Sequence, residues 1–184
     1  MPVTVRQANA GEEARVLAFY HNLIAAMKES PYRPTWTAGV YPLLEDLQAA
    51  ASRGELYLAE ETGCVIGAFV LTHMQAAEYE SVTWSVSADP GQVSVIHLLA
   101  VSPALHGRGI AKALLQKAQE VCRERGDKAI RLDTLTWNVP GNRLYSGFGF
   151  RYLGDHELYY PSAGTIPFSM YELEITNRPP SDQV

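Results

Sequence analysis

The chain has 184 residues, a formal net charge of −5 and 47% hydrophobic residues, a size that suits one domain with a substantial core and a charge that argues against nucleic acid as the main partner. Its two cysteines, Cys64 and Cys122, form no C-x-x-C pair, which speaks against a disulfide framework or a zinc site. No basic segment leads into a long apolar stretch at the start, and no apolar run nears the ~20 residues that span a bilayer, so the sequence predicts a cytoplasmic protein.

"VTVRQA" (3–8) reads as a short strand. In "GEEARVLAFYHNLIAAMKE" the residues Val16, Leu17, Tyr20, Leu23, Ile24 and Met27 recur at helical spacing. "SPYRPTWTAGVYP" (30–42) is a loop rich in proline and aromatics, and 42–54 reads as a second helix closed by Gly54. Residues 55–74 predict a hairpin turning at Thr62-Gly63. Residues 75–92 are mixed in pattern and predict another edge strand. "VSVIHLLAV" (93–101) is apolar almost throughout, as a strand covered on both faces would be.

A long helix follows at 108–125, with Ile110, Leu114, Leu115, Ala118, Val121 and Cys122 on its inner face and Gly126 at its end. Residues 128–137 predict a strand, "NVPGNRLYSG" a short helix, "FGFRYLG" the next strand, and "PFSMYELEI" (167–175) a strand closing the sheet. Residues 1–176 therefore read as one three-layer α/β or α+β domain, with 177–184 a loose tail.

The junction "HGRGIA" (106–111) joins strand to helix with two glycines and no capping Ser, Thr, Asp or Asn. Such a helix start leaves backbone N–H groups unpaired. Gly107 and Gly109 let a ligand approach the backbone, the amides of Gly109, Ile110 and Ala111 point outward, and the helix dipole adds about half a positive charge. Arg108 adds a further charge where its side chain turns toward the ligand. A pyrophosphate would satisfy these groups; a turn capped by water is the plainer alternative. Neither a P-loop nor a G-x-G-x-x-G fingerprint is present.

Two further stretches bear on the choice: the strand "VSVIHLLAV" and the segment "NVPGNRLYSGFGF" (138–150). With the turn, they resemble the GCN5-related N-acetyltransferase (GNAT) superfamily. Its Q/R-x-x-G-x-G/A motif corresponds here to His106-Gly107-Arg108-Gly109-Ile110-Ala111, with His106 where Gln or Arg is usual. Its second signature corresponds to Asn138, Leu144-Tyr145 and Gly149-Phe150.

The resemblance implies a mixed, mostly antiparallel sheet of six to seven strands with about four helices, splayed at the two central strands. It implies acetyl-CoA as co-substrate, its pantetheine bonded to strand backbone near Leu99 and Val101 and its pyrophosphate held by 107–111. An N–H near Leu99 would polarise the thioester carbonyl. Direct attack by an amine then needs a proton donor for the thiolate, and the resemblance places Tyr145 there. A phenol of pKa about 10 is matched to an alkyl thiol; without the resemblance, Tyr145 reads as a core tyrosine. Asn138 caps the short helix or contacts the pantetheine.

His97, two residues before Leu99 and so expected on the same strand face, is a candidate base with an ordinary pKa near 6.5; a satisfied core histidine is the alternative. Glu80, Glu78 and Asp89 are other candidate bases, and Asp133 reads as structural. The resemblance places the acceptor near Tyr32, Trp36 and Tyr41 of the first loop and Glu78, Tyr79, Glu80 and Trp84 of the second. Aromatic walls with carboxylates suit a cationic amine: a small or aromatic amine, or an amino-terminal or lysine amine of a short peptide. Loop packing or a dimer contact would use the same aromatics. The resemblance also implies a homodimer and no metal. A non-catalytic acyl-CoA sensor, which would not need Tyr145, and an ATP-binding protein, against which the absent P-loop lysine and "NRLYSGFGF" speak, are the rival readings.

Overall fold

The computed structural model describes residues 3–160 and 163–176. Its elements run β1 (Thr4–Gln7), α1 (Glu13–Ala26), α2 (Leu44–Ser52), β2 (Leu56–Glu61), β3 (Cys64–Thr72), β4 (Val93–Val101), α3 (Ile110–Arg125), β5 (Ala129–Leu135), α4 (Val139–Phe148), β6 (Arg151–Tyr160) and β7 (Gly164–Glu174). The strands form one sheet in the order β1-β2-β3-β4-β5-β7-β6. All neighbours are antiparallel except β4 and β5. The expected mixed, mostly antiparallel sheet with four helices is present. The expected tail at 177–184 lies outside the described residues.

Each face of the sheet is covered because each helix offers one apolar stripe. On one face α3 buries Ile110, Leu114, Leu115, Ala118, Val121 and Cys122, and Tyr145 of α4 joins the same cluster. On the other face α1 buries Val16, Phe19, Tyr20 and Leu23, with Leu47 and Ala50 of α2 beside them. A third cluster lies under the end of β5, where Tyr79, Val82, Leu135, Phe168 and Met170 pack together.

Two expectations are corrected. Residues 75–92 form no strand but two 3₁₀ turns, at Ala77–Ser81 and Pro90–Gln92. Their backbone is held by a side chain rather than a ladder: the buried Glu172 carboxylate accepts from the N–H groups of Ser85 and Val86 and the Ser85 hydroxyl. Arg131 completes this arrangement from β5, its Nε 3.1 Å from Glu172, so a buried charge is both paired and hydrogen-bonded. The last strands also differ. β6 and β7 form a hairpin longer than the two predicted strands, and β7 lies inside the sheet between β5 and β6, leaving β6 as the edge. The alternation of "PFSMYELEI" is blind to which neighbour a strand takes.

Two irregularities in the centre position the site. β4 and β5 pair only from Val93 to Val95 against Ala129 to Arg131, then part. On the other side of β4, Ala68 pairs with Ala100 and Val70 with His97. Leu98 and Leu99 therefore stand together opposite Phe69, a β-bulge, with Leu98 at φ 56°.

Candidate active site

The gap between the parted strands opens into a cleft of about 930 Å³. β4 lines it from Ile96 to Val101, β5 with Asp133, Thr134 and Leu135, and α4 with Leu144 and Tyr145. The start of α3 contributes Gly107, Gly109, Ile110, Ala111 and Lys112, and the 30–42 loop contributes Tyr32, Trp36 and Tyr41. The cleft thus runs from a helix N-terminus on one face of the sheet, through the split, to an aromatic wall on the other.

At the α3 end, Gly109 occupies the N-cap position in a left-handed conformation (φ 78°, ψ 4°), with no side-chain cap. The first intrahelical bond runs from the Ala113 N–H to the Gly109 carbonyl. Among the described residues the N–H groups of Ile110, Ala111 and Lys112 find no acceptor, as a capless helix start requires. The first turn carries no acid, and no atom of the described residues lies within 4 Å of where a Cβ on Gly107 or Gly109 would stand. Open space, unpaired donors and the positive end of a dipole together fit a diphosphate. Lys112 adds a cation that sequence reasoning missed. It falls on the outer face of the helix by spacing, and a lysine in a first turn without acids was the available signal.

Arg108 is a correction. Its guanidinium forms a bidentate pair with Glu61 at the tip of the β2–β3 hairpin, at 2.7 and 3.0 Å, and it does not line the cleft. The hairpin supplies a geometrically matched partner that a reading of 106–111 alone could not foresee.

In the middle of the cleft, Leu99 and Val101 line its wall. The expectation that His97 shares a face with Leu99 is corrected by the bulge, whose extra residue reverses the alternation. His97 stands opposite Val70, which packs with α1 and α2, whereas Leu99 packs with α3. The Tyr145 ring is buried against Phe150 and Tyr171, and among the described residues its hydroxyl has no hydrogen-bond partner. Burial first, then the nearby Asp133 and Tyr171, hold its pKa well above the usual phenol value. Asn138 caps α4: its side-chain oxygen accepts from the Gly141 N–H at 3.2 Å and its amide donates to Thr134 Oγ1 at 3.0 Å. It lines the cleft as well.

On the acceptor side the residues divide. Tyr32 and Trp36 line the cleft, Trp36 packing edge-on against Tyr20. Tyr79, Glu80 and Trp84 do not. Tyr79 is buried behind the wall, its hydroxyl donating to Asp133 Oδ2 at 2.7 Å. Glu80 is exposed. Trp84 packs on Tyr79 and lies 4.2 Å from the Arg131 guanidinium. Of the second loop only Glu78 lines the cleft, which takes in Asp133, Tyr159, Tyr160 and Phe168 besides. Tyr159, Tyr160 and Phe168 come from the β6–β7 hairpin, whose length the sequence did not disclose.

A family model described as "Acetyltransferase (GNAT) family" matches residues 21–150. N-acetyltransferase 8B of Rattus norvegicus is 38% identical over 71 residues, covering 39% of this chain and 30% of that protein. Streptothricin acetyltransferase of Streptomyces lavendulae is 31% identical over 74 residues, covering 40% and 39%. The chain thus matches between about a third and a half of the length of such relatives. In fold it resembles a GNAT acetyltransferase of Streptococcus agalactiae (TM-score 0.77, 19% identity, 96% of each chain). It also resembles yncA of Salmonella typhimurium, solved with its cofactor acetyl-CoA (TM-score 0.72, 15% identity, 100% of each chain). With its family motifs placed at the helix start and the split in the sheet, and a family model matching residues 21–150, the chain belongs to the acetyltransferase (GNAT) family.

Proposed function

We propose that the protein is an N-acetyltransferase that binds acetyl-CoA and a primary amine together and moves the acetyl group by direct attack. The observation that carries this reading is the continuity of the cleft: a diphosphate-fitting helix start and an amine-fitting wall meet at the split between β4 and β5. Family membership and the acetyl-CoA bound to the Salmonella neighbour support it.

Bound acetyl-CoA supplies a thioester whose carbonyl is open to nucleophiles. The amides of Gly109, Ile110, Ala111 and Lys112 hold the diphosphate, helped by the Lys112 charge. Leu99 and Val101 present strand backbone to the pantetheine, and Asn138 borders the same channel. The Leu99 N–H, displaced by the bulge, is the donor we assign to the thioester oxygen. His97 takes a proton from the acceptor's ammonium, directly or through water. Tyr145 gives a proton to the departing sulfur, and burial keeps that phenol protonated beforehand. The attacking nitrogen loses its second proton to solvent as the tetrahedral intermediate collapses, His97 returns its proton to solvent and Tyr145 regains one, so that ammonium and thioester become amide, thiol and one released proton.

Glu78 and Asp133 place carboxylates in the cleft, while Tyr32 and Trp36 supply aromatic surface, an arrangement suited to a small, aromatic or peptide amine bound as a cation. Tyr79, Glu80 and Trp84 are not part of that contact set. We further propose a cytoplasmic homodimer; among the described residues no helix is long and apolar enough to cross a membrane. Thiol release from acetyl-CoA across a panel of primary amines tests the reaction. Turnover with one or more amines supports it; coenzyme A binding without turnover on any amine or acyl donor would favour a sensor module.

A further inference from the structure

Asp133 stands on β5 just beyond the point where it leaves β4, opposite Met170 on the face covered by the 77–81 turn. Its carboxylate accepts the Tyr79 hydroxyl at 2.7 Å. Among the described residues it forms no ion pair. The titratable groups around it are Tyr79 and Glu78 from the 77–81 turn, His97 from β4, Tyr145 from α4, Tyr41 from the loop and Tyr160 from β6. Only His97 of these can become positive. The nearby Arg131 is occupied by Glu172, Gln75 and the Val86 carbonyl. Burial raises the Asp133 pKa, while the Tyr79 hydrogen bond and His97 oppose that rise and Glu78 adds to it.

A partly buried carboxylate without a counter-ion either takes up a proton or is held ionised by an arriving cation. Tyr79 orients this one from behind, at the cleft surface, and a fixed carboxylate is worth more to a ligand than a mobile one. Trp36, Tyr41, Tyr160 and Phe168 line the same cleft, with Tyr41 and Tyr160 edge to face and Tyr160 stacked on Phe168. Such rings accept an apolar body and attract a cation.

We propose that Asp133 is the residue that seats the acceptor: a primary amine binds as its ammonium on the Asp133 carboxylate, with an apolar or aromatic body against Trp36, Tyr41, Tyr160 and Phe168. Tyr79 is a positioning residue that holds the carboxylate. This assignment rests on the acetyltransferase reading for its chemistry, and it specifies an acceptor that is cationic at one end and greasy at the other. His97, across the split, is then placed to take the proton that Asp133 has drawn in.

Calorimetry on the full chain saturated with coenzyme A tests it, titrating 2-phenylethylamine, benzylamine and n-hexylamine against 2-phenylethanol at neutral pH. The amines are expected to bind roughly tenfold or more tighter than the alcohol, the scale of a hydrogen bond to a charged group. Asp133→Asn is expected to abolish the preference and Glu80→Gln to leave it intact. Equal binding of amine and alcohol, no amine binding, or an unchanged preference in Asp133→Asn overturns the assignment. Tyr79→Phe gives a second readout should Asp133→Asn fail to fold. Losing the phenol raises the carboxylate's pKa, so as pH falls the preference should disappear at a higher pH than in the wild type; an unmoved transition counts against the positioning role. Thiol release is measured separately. Turnover without the ammonium preference removes Asp133 and leaves the acetyltransferase; preference without turnover on any amine removes the acetyltransferase and leaves the site.

Discussion

The hydroxyl of Tyr20, fully buried on α1, donates a 2.7 Å hydrogen bond to the carbonyl of Leu98 on β4. Leu98 is the bulged residue at φ 56°, a conformation unfavourable for a branched side chain. The bulge frees that carbonyl from the ladder, and Tyr20 satisfies it, so one side chain on α1 holds the distortion in the strand that lines the cleft. Tyr20→Phe leaves a buried carbonyl unpaired, which costs about 1–3 kcal/mol. In steady-state kinetics kcat should fall while the KM for acetyl-CoA stays near that of the wild type. A fall in thermal stability with unchanged kcat would show that Tyr20 supports only the fold.

The diphosphate grip is assigned to backbone, and two substitutions separate backbone from side chain. Gly109→Ala puts a Cβ on a residue at φ 78° and into open space at the helix start; strain there is about 1–2 kcal/mol. The KM for acetyl-CoA should rise several-fold. Arg108→Ala removes a guanidinium already committed to Glu61 and should leave that KM nearly unchanged. The reverse ranking would return the charge of Arg108 to the site.

Tyr145 stays protonated because burial holds its pKa well above the ordinary phenol value. An acid must carry its proton to act, so a raised pKa moves its deprotonation to more alkaline pH. The rate should therefore show no alkaline fall attributable to this group below about pH 10. Tyr145→Phe should lower kcat by about 100-fold or more, with coenzyme A binding retained. Such a variant at near wild-type kcat would remove the phenol from the chemistry.

Acid stability has a separate source. Glu12, at the N-terminus of α1, is bound by Arg6 at 2.6 Å, with Arg15 at 2.7 Å and the Asn9 N–H beside it. The Arg6 hydrogen bonds, above all, lower its pKa from 4.5 to about 2. Because the folded pKa is the lower one, the contribution is complete above about pH 4.5 and lost as pH falls toward 2. The melting temperature should decline across that window, and Glu12→Gln should flatten part of the decline. An identical acid profile in the variant would contradict this.

The sequence carried the strand–turn–helix at 93–125 because three local signals coincide there: an apolar strand, glycines at positive φ, and an amphipathic helix. Asn138 and Tyr145 were legible for the same reason, since a cap and a buried ring on a short helix are local events. What escaped was set at a distance. The Leu98 bulge depends on Phe69 across the ladder and Tyr20 on another element, and it reverses the face of His97 relative to Leu99. Arg108 is decided by Glu61, 47 residues earlier. Tyr79 and Trp84 looked like acceptor contacts because they are aromatic near carboxylates, but Asp133 and Arg131 on β5 draw them inward. That Asp133 also lines the cleft was not legible, because no local feature marks where two strands part.

The most direct test of the account is a crystal structure of the protein with acetyl-CoA. The diphosphate should lie on the amides of Gly109 to Lys112, the pantetheine between β4 and β5, and the sulfur within about 3.5 Å of the Tyr145 hydroxyl, the reach of a hydrogen bond to sulfur. A diphosphate bound elsewhere, or a thioester on the far side of the sheet from Tyr145, would contradict it.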